Sequence, residues 1–544
     1  MTTALAALLV FLALVVPDQV RGITPAALLR IPVEALVGVA LVLLLPARAR
    51  RVAVVLAGSA LGLVAVLKIV DLGFAGTLDR RFDPMLDWHL LVDGFGFVQS
   101  SVGRAGAIGV VVFAVLLAAA VLVLLTLAVP RLARSVVRHR TGAVRAMAVL
   151  APAWVACALL GAQLVPGVPV ASGSAAGLVY GDVLQARADV ADQRAFTHNM
   201  AVDTFRGTPG DQLLTALRGK DVVISFVESY GRDAIENPEF AGPVGAVLDD
   251  GNRRLAKAGF GARSAFLTSP TYGGGSWLAE STLFSGLWID NQQRYHDLVS
   301  SNRFTLSNAF KRAGWRTVDV MPGNTQDWTE GALYDYDKVY DSRTLGYKGP
   351  KFSWATMPDQ YTLSAFQHLE RAKPGRGPLM AEMPLVSSHA PWSPLPRLIG
   401  WDDVGDGSVF NSMSGPGDLP QAILTRDPAV VRAGYRDSIE YTLNTLVSYL
   451  ETYGDDNLVF IFLGDHQPSP IVTGQGASRD VPISIVTRDR AVLDRISGWG
   501  WQDGIKPGRT APEWRMDAFR DRFLTAFGPP TPPGRAASQA APAH

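Results

Sequence analysis

The stretch DVVISFVES, residues 221–229, decides the fold. Val222, Val223, Ile224, Phe226 and Val227 leave no polar face, so the run reads as a strand buried on both sides. Downstream, segments of the same kind alternate with helices. RFTLSNAFKRAG (303–314) reads as a helix closed by Gly314, and WRTVDVM (315–321) as the strand that follows it. LMAEMPLVSS (379–388) is a further strand, and VRAGYRDSIEYTLNTLVSYLETYG (431–454) has helical spacing and a glycine stop. NLVFIFLG (457–464) and VPISIVT (481–487) complete the strands. Strands alternating with helices of this length predict an α/β domain over 219–526, with a mostly parallel sheet covered on both faces.

The first third of the chain has a different character. Apolar runs at 3–17, 31–46, 52–70, 105–129 and 146–165 read as five membrane spans, giving an α-helical membrane domain over 1–165. The first run lacks the basic lead and the small-residue cleavage pattern of a signal peptide, and so reads as a span. Arg48, Arg50 and Arg51 in one loop, and Arg131, Arg134, Arg138, Arg140 and Arg145 in another, place those loops in the cytoplasm. The N-terminus is then cytoplasmic, the acidic loop 71–104 is outside, and the domain after residue 165 is extracellular. Residues 166–218 read as a juxtamembrane linker, opened by PGVPVASGSAAG and continued by a surface helix. Residues 527–544, rich in Pro and Ala, read as a disordered tail. The net charge of +1 gives no support to a nucleic-acid partner, and the single cysteine, Cys157, excludes an internal disulfide framework.

In open α/β sheets, ligands bind beyond the carboxyl ends of the strands, and that rule selects residues here. Glu228 ends the first strand, His389 follows 379–388, and Asp465 and His466 follow 457–464. Each has a plain structural alternative. Glu228 could pair with Arg232, His389 could pack on Trp392, and GDHQP (464–468) has turn composition. Three strand-end placements together favour a site, and two of the chain's eight histidines fall in it. TYGGGSWLAESTLFSG (271–286) adds Ser276 at a helix start. Ser276 admits a capping role, but a capping box needs Glu or Gln at 279, where Ala279 stands. A carboxylate, an Asp-His pair and a hydroxyl suit one divalent cation, Mn²⁺ first, with Mg²⁺ or Zn²⁺ also admitted. Such an ion would make the Ser276 alkoxide available near neutral pH. The helix start would attract a phosphate or sulfate oxygen. His389 would protonate a leaving alkoxide or bind substrate oxygens.

These motifs resemble those of the lipoteichoic acid synthase-like members of the sulfatase/alkaline phosphatase superfamily. The resemblance implies five spans followed by an extracellular α/β catalytic domain. By it, Glu228 in FVESYG matches the first metal-ligand carboxylate. Ser276 matches the nucleophile, with Glu280 four residues on, and His389 in SSHAPW matches the substrate-site histidine. Asp465 and His466 in GDHQP match the paired metal ligands. The family's glycerol-phosphate pocket uses a histidine, an acid, a tryptophan and an arginine. In MPGNTQDWTEGALYDYDKVYD (321–341) the first two places hold Pro322 and Asn324. Trp328 is kept with a one-residue shift, and Glu330 replaces the arginine. The pocket, with Asn324, Trp328, Glu330 and His389 as substrate contacts, then suits a cationic or hydroxyl-rich group better than glycerol phosphate.

The expected activity is a membrane-embedded, metal-dependent phosphotransferase or phosphodiesterase acting on envelope lipid or glycan headgroups through a serine ester. Sulfatase-type ester hydrolysis is the alternative within enzymes, although Ser276 is followed by WLAE and so lacks a C/S-x-P-x-R motif. A non-catalytic envelope protein with a structural metal is the alternative outside them.

Overall fold

The computed structural model describes the chain except for residues 1, 18–23, 79, 84–85, 166–167, 174–176, 178–179, 181–183, 185–191, 353, 393, 415–425 and 530–544. Two units divide it, Met1–Arg194 and Ala195–His544.

The first unit is helical. Each of the five apolar runs centres on a helix, though three overrun its ends: α1 Thr3–Val15, α2 Val33–Leu44, α3 Ala47–Leu78, α4 Trp88–Arg138 and α5 Arg140–Leu159. Among the described residues, three helical segments are long and apolar enough to cross a membrane: Ala47–Gly76, Gly103–Arg138 and Arg140–Leu159. α1 and α2 are shorter, so the five expected spans are five helices of which three have spanning length. Small residues bring α3 and α4 close. A Cβ on Gly58 would stand 2.9 Å from the Thr126 backbone, and the Ser59 and Thr126 hydroxyls hydrogen-bond at 3.2 Å. Lys68 on α3 is buried, with its ammonium donating to the carbonyls of Ala13 and Val16 at the end of α1. The acidic segment expected as a loop over 71–104 is largely helical, because α3 runs on to Leu78 and α4 starts at Trp88.

The second unit is built on a nine-stranded sheet. Its strands are β1 Asp221–Val227, β2 Gly261–Thr268, β3 Arg316–Met321, β4 Lys338–Asp341, β5 Leu379–Leu385, β6 Leu458–Gly464, β7 Asp480–Thr487, β8 Gln502–Asp503 and β9 Glu513–Arg515. The order is β8-β2-β7-β6-β1-β5-β3-β4, with β9 paired to β2. β6, β1, β5, β3 and β4 form a parallel half, whereas β7 and β8 run against their neighbours. The sheet is therefore mixed: the mostly parallel expectation describes that half and the β9–β2 pair, and fails at β7 and β8. The reversal has a local cause. Between β6 and β7 the chain forms only the short helix Pro470–Thr473, without the long covering helix that accompanies parallel crossovers.

β1 is buried along its whole length, as its composition demands. Val223 and Val227 join the core on one face, with α6 (Ala241–Lys257) and α8 (Pro428–Tyr453). Val222, Ile224 and Phe226 join the core on the other, with α7 (Ser276–Ser285) and α9 (Ala518–Phe527). Part of the segment expected as a linker over 166–218 packs into this unit. Phe196, Leu213, Leu214 and Leu217 are buried in the second core, because their side chains complete the α9 side of the sheet. From residue 530 onward the predicted tail lies outside the described residues, as does most of the predicted surface helix before 192.

Candidate active site

β6, β1 and β5 are adjacent and parallel, so Asp465, Glu228 and His389 leave the sheet at one edge. The turn after β1 is tight. Ser229 takes a left-handed φ of 58°, its N–H donates to Asp465 Oδ1 at 2.8 Å, and its carbonyl accepts from Tyr435 on α8 at 3.0 Å. The Ser388 hydroxyl ties the end of β5 to the Glu228 carbonyl at 2.7 Å. Ser229, held left-handed by its two contacts, and the Ser388 bond to the Glu228 carbonyl together fix where Glu228 points.

Gly273, Gly274 and Gly275 all have positive φ, with values of 72°, 156° and 83°. Gly275 is the N-cap of α7 and Ser276 its first helical residue. Ser276 is therefore not the cap, and its side chain is used elsewhere: its hydroxyl donates to Glu228 Oε2 at 3.0 Å and meets His466 Nε2 at 3.3 Å.

Glu228, Asp465 and His466 offer ligand atoms that all lie within 4.8 Å of one another, and the three residues are buried. His466 Nε2 is 3.5 Å from Glu228 Oε1 and 3.6 Å from Asp465 Oδ2. Donors around a small cation at about 2.1 Å stand roughly 3.4 Å apart in a tetrahedron, which these separations match. His466 Nδ1 faces the Gln467 carbonyl at 2.8 Å, leaving Nε2 as the lone-pair nitrogen. The residues present thus fit a divalent cation. The charges are consistent with that. Burial drives the Asp465 carboxyl up to about 7, with repulsion from Glu228 adding to it. Burial acts the same way on Glu228, but His389, His466 and the Ser229 hydroxyl outweigh it and hold that carboxyl below its usual range. Burial would lower the His466 imidazole, yet Asp465 and Glu228 raise it. A bound cation would take the place of these protons.

A cavity of about 270 Å³ opens over Ser276 and is bordered by Glu228, Glu280, Asn324, Trp354 and His389. His389 does not pack on Trp392: its ring stacks on Trp354 at 3.8 Å between centroids, and its Nδ1 faces the Ala390 carbonyl at 2.6 Å. Arg232 does not take up Glu228, because it pairs with Glu236, Asp480 and Glu513. Of the expected substrate contacts, Asn324 and His389 line this cavity. Trp328 stacks on Tyr334 and lines a second, smaller cavity next to it. Glu330 is not among the residues lining either one.

Trp354, Asp319 and Glu382 are site-side residues that the sequence reading passes over. The two acids carry a legible signal, since each interrupts a strand whose flanking residues are apolar. Trp354 sits in an irregular segment and carries none.

No family model matches the chain, and no curated protein does. Solved structures do. The chain is similar to the integral membrane protein lipooligosaccharide phosphoethanolamine transferase A from Neisseria meningitidis, at 12% identity and a TM-score of 0.47, covering 96% of this chain and 95% of that one. It is also similar to the lipoteichoic acid synthase LtaP from Listeria monocytogenes, at 16% identity and a TM-score of 0.34, covering 51% and 67%. A third is the Streptococcus pyogenes phosphoglycerol transferase GacH in complex with sn-glycerol-1-phosphate, at 13% identity and a TM-score of 0.36, covering 62% and 91%.

Proposed function

We propose that the chain is a membrane-anchored phosphotransferase or phosphodiesterase that transfers a headgroup of an envelope lipid or glycan through a phosphoserine at Ser276. The observation that carries this reading is the double contact of the Ser276 hydroxyl, to Glu228 Oε2 and to His466 Nε2, at the head of a helix. A divalent cation held by Glu228, Asp465, His466 and Ser276 would supply positive charge to the serine oxygen and to the phosphoryl oxygens. Mn²⁺ is our first choice, with Mg²⁺ and Zn²⁺ next.

The first turn of α7 leaves backbone N–H groups without helical partners, and these point at the non-bridging oxygens of a phosphoryl group on Ser276. The Ser276 hydroxyl, oriented by its bond to Glu228 Oε2, gives its proton to cavity water, and its oxygen forms the new P–O bond. His389, with Nδ1 turned to Ala390, presents Nε2 to the cavity. Protonated there, it gives its proton to the departing alcohol as the old P–O bond breaks. In the second half, water or an acceptor alcohol attacks phosphorus and gives its proton to His389, the Ser276 O–P bond breaks, and the serine oxygen regains a proton from cavity water. The unit that carries the site follows a membrane-anchored helical segment, and our reading of the arginine-bearing loops puts the site on the outer face.

Intact-mass analysis tests this on the full-length protein in membranes, incubated with Mn²⁺ and lipid extract. The expected result is an adduct on Ser276 whose mass names the transferred group, phosphoryl or sulfuryl, and which Ser276→Ala lacks. Turnover should fall at least about a thousandfold in Ser276→Ala while metal binding is largely kept. Tight metal binding with no adduct and no released headgroup would move the reading to a structural metal site.

A further inference from the structure

The proposed mechanism leaves three carboxyls unused. Asp319 on β3 and Glu382 on β5 are register partners on adjacent strands, 2% and 5% exposed. Their strand neighbours Val318, Val320, Ala381 and Met383 face the opposite core, so both acids face the side on which α7 lies. Glu280 comes from α7, four residues after Ser276 and on the same helix face. Tyr336 donates its hydroxyl to Glu382 Oε2, but Asp319 Oδ1 is buried and accepts no hydrogen bond. Buried carboxyls with no cation are costly, and interiors hold them only for a partner. The charges that reach these three are those of other carboxylates, and burial with that repulsion pushes all of them well above the usual range.

The three acids border a cavity of about 30 Å³ whose other walls include Tyr295, Trp328 and Tyr334. This volume takes one or two water-sized groups, and so excludes a trimethylammonium. Among the described residues, converging metal-ligand atoms occur at Glu228, Asp465 and His466 and not here. Carboxyls spread around a small chamber suit three N–H donors better than one divalent ion. The chamber shares Trp277, Glu280, Met321 and Pro384 with the cavity over Ser276. Ser276 and Glu280 are about one helical turn apart, roughly 5.4 Å, which a spacer of two or three atoms crosses.

We propose that Asp319, Glu382 and Glu280 form a site for a protonated primary amine, carried by the same substrate whose phosphoester Ser276 attacks. The identity of the amine as substrate rests on the Ser276 reading, whereas the site itself does not.

The test uses full-length protein in detergent at pH 7.5. Methylammonium chloride is titrated against sodium and potassium chloride while the fluorescence of the tryptophans, two of which line the chamber, is followed. A saturable change specific to methylammonium is expected, weakened at least tenfold in Asp319→Asn/Glu382→Gln. Glu382→Gln alone keeps an acceptor for Tyr336 and serves if the double variant unfolds. No response, or the same response to sodium or potassium, would overturn the site. With Mn²⁺ and Ser276→Ala, 2-aminoethyl phosphate should bind at least tenfold more tightly than 2-hydroxyethyl phosphate, and the ratio should fall toward one in the acid variants. Equal binding in the unaltered chamber would overturn the amine as substrate. If neither ester binds, the Ser276 reading fails and the methylammonium titration alone decides the site.

Discussion

Asp319 stands where a valine would pack, and the fold bears the cost. A carboxyl whose folded pKa is raised holds a proton that the unfolded chain has already released, so stability falls as pH rises from about 4 toward the folded value. Asp319→Asn removes that dependence. It should stabilise the protein at pH 8 by about 1–2 kcal/mol and leave it unchanged at pH 4, as read by urea unfolding at both pH values. A buried acid paired with arginine behaves in the opposite way. Asp203 is such a case: burial opposes its charge, but Arg520 and Arg303 outweigh burial and hold its carboxyl below the usual range. Its contribution is present above about pH 4 and is lost as pH falls through the depressed folded value. Asp203→Asn should therefore destabilise by about 3–5 kcal/mol at pH 7, because it leaves the buried Arg520 only the half-exposed Asp521 and takes the carboxylate away from Arg303. That loss should shrink toward pH 3.

Helix α7 owes the position of its first hydroxyl to a glycine loop, since the three positive-φ residues before it set where Ser276 lies. Gly275→Ala meets both a φ of 83° and the Thr271 hydroxyl at 3.0 Å from the new Cβ. A cost of about 1–2 kcal/mol in stability is expected, with a larger loss, above tenfold, in the rate of Ser276 adduct formation. Equal losses of stability and rate would argue that the loop only caps a helix. The strands were legible because β1, β5 and β6 lack a polar face, but their order in the sheet was not. Strand-end placement then located Glu228, His389, Asp465 and His466 without any side-chain geometry. What escaped the reading was set by contacts that leave no periodicity. The stacking of Trp354 on His389 and the joining of Asp319 to Glu382 each bring together residues dozens of positions apart. β7 was misjudged for a different reason: strand composition does not encode direction, and only the missing crossover helix does.

The boundary of the second unit can be tested on the whole molecule. A fragment 195–544 keeps Phe196, Leu213, Leu214 and Leu217 and the buried pair of Asp203 with Arg520, whereas 219–544 loses all of them. The longer fragment should give a single cooperative unfolding transition by circular dichroism. The shorter one should melt at least 10 °C lower or fail to stay soluble, because it exposes the α9 side of the core. Sequence distance within the sheet has a further result. β1 pairs with β6, and Glu228 and Asp465 are brought together only when those strands join. Neighbours so far apart along the chain pair late in folding. A growing chain that has already delivered Glu228 and Ser276 therefore cannot yet gather a cation. An ion held by Glu228, Asp465 and His466 would then be drawn from the supply of the compartment in which the last strands dock, and not from the supply where synthesis begins.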